Sequence, residues 1–76
     1  MKHKAYASRA VELINRRCAE RGWTLTKVLD EVNIPYGTFR DWSMGKYNPT
    51  APGLEGLALA GYDVIYILTG EKKDVS

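Results

Sequence analysis

Residues 24–45 read TLTKVLDEVNIPYGTFRDWSMG, two short apolar-periodic segments on either side of Asn33-Ile34-Pro35. Before the break, Val28 and Val32 lie four apart and share one helical face. After it, Phe39 and Trp42 lie three apart and do the same. At about 100° per residue, Tyr36, Gly37, Arg40, Asp41 and Met44 fall on the side opposite the two rings. The second segment is therefore expected to be a helix with an aromatic inner side and a polar or small-residue outer side. The break agrees with this. Asn33 tolerates the left-handed backbone region and ends the first helix. Pro35 forces Ile34 out of the helical region and suits the first turn of the next helix, so Ile34 can plug the corner. Two helices joined by so short a turn cross steeply.

Working outward, the spacing of Ala7, Ala10, Val11, Ile14 and Cys18 predicts a first helix from Ala5 or Ser8 to Arg21, ended by Gly22. Thr24 is the expected N-cap of the next helix, with Trp23 and Val28 as a hydrophobic staple; Lys27 stands where a full capping box would have Glu. The third helix is expected over about 35–44. Beyond a loop over 45–52, Thr50 is a candidate cap for a fourth helix with Pro52 in its first turn. Leu54, Leu57, Ala58 and Gly61 keep helical spacing there, and Gly53 and Gly56 mark close approach to another helix. Residues 62–68 are rich in β-branched and aromatic side chains, and by propensity alone they read as a strand. Asp63 as N-cap and Gly70 as C-cap favour a helix instead. The expectation is one all-α domain of four to five helices over 5–70, with a short basic arm at 1–4 and a solvated tail at 71–76.

Size and charge bound the function. With 76 residues the chain buries only about 60–65% of its unfolded surface, enough for one small core and too little for a separate catalytic domain. No apolar run reaches membrane-spanning length and none follows the N-terminus as a signal would, so the expected location is the cytoplasm. The single cysteine, Cys18, excludes an internal disulfide and falls on the apolar side of the first helix. Net charge is +2, unevenly spread: residues 1–46 hold nine Lys/Arg and five Asp/Glu, residues 47–76 two and four. The basic half contains the two-helix segment, which favours an anionic partner. Catalysis has little support. His3 is the only histidine, no metal-ligand spacing or Gly-rich phosphate loop occurs, and no serine has a credible base. Neither a metal nor a cofactor is expected.

The segment resembles the helix-turn-helix of the XRE, or lambda-repressor-like, family. The family's apolar positions fall on Val28, Val32, Ile34, Phe39 and Trp42. Gly45-Lys46-Tyr47-Asn48-Pro49 resembles its Gly-Lys-Arg-x-Pro loop, and residues 63–70, DVIYILTG, resemble an ending common in phage repressor DNA-binding domains. The likeness spans about 11–71. Two positions depart from it: Leu29 where the family usually has Ala, and Leu25 where it has a Gln that binds phosphate. The resemblance implies a fifth helix and a dimeric repressor, often phage-encoded.

On that reading Tyr36, Gly37, Arg40 and Asp41 are the candidates at base edges. Arg40 suits a bidentate contact with guanine, Tyr36 a thymine methyl or a phosphate, and Asp41 a cytosine amino group or the orientation of Arg40 or Lys46. Gly37 lets the helix sit deep in the groove. Thr26, Lys27, Thr38, Lys46, Tyr47 and Asn48 are candidates for the DNA backbone, with Arg17 and Arg21 as further phosphate candidates. For each, ordinary exposed polarity is the plain alternative. Ile65, Tyr66 and Leu68 form a candidate dimer interface, so that two copies read half-sites about one DNA turn apart. Rival readings are a protein-interaction module gripping a partner through Tyr36, Trp42 and Tyr47, an expressed fragment of a longer repressor, and an antitoxin.

Overall fold

The computed structural model describes residues 5–72 as five helices: α1 (Ala5–Arg21), α2 (Leu25–Val32), α3 (Tyr36–Ser43), α4 (Ala51–Leu59) and α5 (Val64–Thr69). No strand occurs among the described residues. The arm expected at 1–4 and tail positions 73–76 lie outside them.

Local end chemistry explains most of the helix limits. The Thr24 side chain accepts from the Lys27 N–H at 3.2 Å and starts α2. Asn33, at φ 59°, ends it: its N–H donates to the Asp30 carbonyl and the Ile34 N–H to Leu29, the paired bonds of a left-handed helix stop. The ambiguous ending is helical. Asp63 accepts from the Tyr66 N–H at 3.0 Å, and the Gly70 N–H donates to the Tyr66 carbonyl at 2.7 Å. Those caps outweigh the strand preference of Val64, Ile65 and Tyr66. Two expectations change. Thr50 holds the N-cap position of α4 but its side chain makes no capping bond. Gly61 lies beyond α4, and Ala58 is exposed although it keeps apolar spacing.

The core is built across all five helices. Ala7, Ala10 and Ile14 of α1 meet Val28, Leu29 and Val32 of α2, Phe39 and Trp42 of α3, Leu57 of α4 and Ile67 of α5, with Ile34 and Tyr62 filling the turns. Helix α1 is the central rod, packed on α2, α3 and α5, while α4 rests on α2 and α5. Its small residues let neighbouring helices come close. Val11, Cys18, Trp23 and Leu25 are half-buried against the same core. Leu25 thus has a packing role where the resembled family has a phosphate ligand. No helix is long and apolar enough to cross a membrane among the described residues.

The close approach expected at Gly56 is real, since a Cβ there would lie 2.9 Å from the Val32 carbonyl oxygen. Backbone cannot yield as a flexible side chain can. Gly56→Ala should therefore lower stability by about 1–3 kcal/mol, against the gain in helix propensity. Urea unfolding checks this, and an unchanged or higher midpoint would mean that α4 moves freely on α2.

Candidate nucleic-acid interface

Helix α3 is fixed from beneath by its two rings, Phe39 at 7% and Trp42 at 4% exposure. With those inside, the opposite side must face out: Tyr36 is 61% and Met44 62% exposed, and Arg40 and Gly37 are exposed beside them. A Cβ on Gly37 would meet nothing within 4 Å, so the surface there is bare helix. At the start of α3, Pro35 provides no side-chain cap, which leaves the first N–H groups open. At its end, Gly45 adopts φ 74°, a left-handed turn that L side chains rarely tolerate. The Gly45 N–H donates to Trp42 at 3.1 Å and the Lys46 N–H to Asp41 at 2.9 Å. Lys46 is thereby set immediately beyond the helix.

The distribution of unpaired charge differs from the formal one. The arginines of α1 are engaged within the molecule. Arg9 donates to the Ile67 carbonyl at 3.0 Å, and Arg16 pairs with Glu12. Arg17 donates to the Ala60 carbonyl, pairs with Glu31 and lies 4.0 Å over the Tyr62 ring. Arg21 pairs with Glu31 at 2.9 Å and stacks on Trp23. Lys27 lies 4.5 Å over Trp23, and Lys72 lies 5.6 Å from Tyr66. Among the described residues, the cations with no partner in the chain are Arg40 and Lys46. Both belong to the outer side of α3 and the turn that follows it.

The structure therefore brings together Tyr36, Gly37, Arg40, Lys46 and Tyr47, all exposed, while Thr26 and Lys27 are exposed in the first turn of α2. Three candidates go elsewhere. Asp41 and Thr38 are half-buried and line a groove of about 970 Å³ between α3 and α4, with Trp42, Gly53, Glu55 and Leu59. No side-chain bond joins Asp41 to Arg40 or Lys46; its backbone carbonyl holds the Lys46 amide instead. Asn48, expected at the DNA backbone, accepts from the Ala7 N–H at 3.1 Å and caps the start of α1. Arg17, half-buried, is turned into the fold, while Arg21 stays exposed and pairs with Glu31.

At the candidate dimer surface, Ile65 is 57% exposed and Leu68 also faces out, whereas Tyr66 is half-buried. The Tyr66 hydroxyl donates to Glu12 at 2.5 Å, tying α5 to α1. That bond to the carboxylate favours the neutral phenol, so the Tyr66 pKa is raised above 10.0. Tyr62 is raised as well, chiefly by burial and partly offset by Arg17. One exposed residue was missed from sequence: Leu59 stands 83% exposed at the rim of the groove, and nothing local marks it. Met44, read from spacing as outward-facing, completes a stripe with Tyr36 and Arg40 at intervals of four.

None of the protein-family models, curated proteins or solved structures compared with the chain matches it. The geometry of the α3 surface therefore bears the functional reading.

Asn48 gives a direct check of its reassignment. As a helix cap, Asn48→Ala should cost about 0.5–2 kcal/mol of stability, seen as an earlier urea midpoint. If it were a phosphate contact, stability would hold and only affinity for DNA would fall.

Proposed function

We propose that this chain binds double-stranded DNA sequence-specifically, as a small dimeric transcriptional repressor of the lambda-repressor-like helix-turn-helix type acting in the cytoplasm. The observation that supports it most is the coincidence on α3 of a buried aromatic side with an outer side that holds the unpartnered cations Arg40 and Lys46. A helix seated in this way presents a narrow surface to a major groove, which admits an α-helix. Arg40 is the base reader and prefers guanine O6 and N7. Lys46, Tyr47, Thr26, Lys27 and the open N–H groups at the start of α3 hold phosphates and fix register. Gly37 brings the helix backbone close to the base edges.

A single domain with two free cations among its described residues binds a half-site weakly, and a two-fold dimer doubles both contact and charge. Ile65 and Leu68, exposed three residues apart on α5, are the proposed seam. Blocking a promoter needs occupancy alone, which this architecture supplies.

A second reading, a protein-interaction module, is favoured by the α3–α4 groove. Its lining includes Glu31, Asp41 and Glu55 and no Lys or Arg, with Leu59 exposed at its rim. Salt separates the two readings, because phosphate contacts make affinity fall steeply as salt rises.

Arg40→Ala should weaken specific binding by about 1–3 kcal/mol and relax preference at one base position. Lys46→Ala should lower affinity evenly across sequences and reduce the salt slope by about one. Titrations of labelled duplexes at several salt concentrations measure both; equal losses on every sequence for Arg40→Ala would make it a phosphate contact. Ile65→Asp should shift the protein toward monomer in sedimentation, and an unchanged dimer would place the seam elsewhere.

A further inference from the structure

The outer stripe of α3 has an unusual chemistry for reading bases. Tyr36, Arg40 and Met44 succeed one another at intervals of four and so lie along one line of the helix surface. Eight residues at 1.5 Å rise separate the first from the last by about 12 Å. At about 3.4 Å per base step, that line covers three to four base pairs. Only its middle member is a hydrogen-bonding cation. The two outer members are an aromatic ring and a thioether chain, each more than half exposed with no role in the core.

Neither Asn nor Gln stands on this stripe to make the bidentate pair with adenine, and Asp41, which could accept from cytosine, is turned into the α3–α4 groove. The apolar feature that the major groove offers is the C5-methyl of thymine. Polarisable, unbranched Met44 adapts to such a contact. Bare Gly37 beside Tyr36 leaves room for the helix to come near enough.

We infer that the preferred half-site is a guanine flanked on both sides by thymines, with Arg40 on the guanine and Tyr36 and Met44 on the two thymine methyl groups. Sequence is then read mostly through methyl contacts, and Met44 is a specificity-determining residue. This inference rests on the reading of α3 as the DNA-facing helix. It adds a chemical composition that DNA binding alone does not require.

The experiment starts with selection of bound duplexes from a random-sequence pool at low ionic strength. Each thymine of the selected duplex is then replaced in turn by deoxyuridine, which removes only the methyl group. The expected result is a loss of roughly fourfold at each of two thymines, one on either side of a guanine, the scale of one buried methyl. Met44→Ala should abolish the penalty at one of them and Tyr36→Ala at the other, while Arg40→Ala should relax the guanine between. Both substituted side chains are largely exposed, so the variants should keep the wild-type melting behaviour, which circular dichroism verifies. Equal binding of thymine and deoxyuridine duplexes would overturn the methyl reading and leave DNA binding standing. So would penalties that persist unchanged in both variants. Failure to select any duplex would overturn the DNA reading and this inference with it.

Discussion

Burial of Phe39 and Trp42 is the constraint from which the rest follows. An eight-residue helix has little stability of its own in water, and α3 persists because those rings anchor it to α1 and the body. Truncating a buried aromatic of this kind typically costs about 3–5 kcal/mol, a large part of what so small a domain possesses. Trp42 also reaches α4 at Gly53, where a Cβ would make only ordinary contact with the ring at 3.5 Å, so the close approach expected there is not tight enough to require glycine. Once both rings are inside, the helix cannot rotate about its axis without exposing one of them. The identity of its outer side is thus set by core packing and not by any property of the outer residues themselves.

The second constraint is electrostatic. Helix α1 is strongly basic in composition, yet its arginines serve the fold. Arg9 caps the carbonyl end of α5, Arg17 covers Tyr62 and reaches the end of α4, and Arg21 joins α1 to Glu31 of α2. Helix C-termini carry partial negative charge that such cations neutralise. Glu12 and Glu31 offset part of the positive charge on α1, although Arg16 and Arg21 remain exposed. Among the described residues, the cations without a partner are those on α3 and its following turn, Arg40 and Lys46. Tyr66, held by Glu12, closes the same frame from α5 and fixes which side of that helix turns outward.

Local requirements were legible in the sequence. The Asn33-Ile34-Pro35 break, the Thr24 and Asp63 caps and the stops at Gly22 and Gly70 each rest on one or two residues whose conformational preferences act on their neighbours. The paired rings were legible for the same reason, through helical spacing. Partners far apart in the chain were not. Asn48 finds Ala7 across 41 residues, Arg17 finds Ala60 across 43 and Tyr66 finds Glu12 across 54. Each polar side chain looked free because its partner is fixed by how α1 crosses the fold. Asp41 illustrates the limit on the candidate site. A helical wheel puts it on the outer side, but α4 stands beside α3 and turns that edge into a groove wall. Three helices packed on one rod, with a fourth resting on two of them, cannot be recovered from the period of each alone.

Amide chemical shifts followed while a double-stranded fragment is titrated at low ionic strength test the central claim most directly. The outer side of α3 should respond first: shifts concentrated on residues 36–47 and the first turn of α2, fading as salt is added, with Ile14, Leu57 and Ile67 unmoved. Shifts confined to the α3–α4 groove around Glu55 and Leu59, or no change with any duplex, would contradict it.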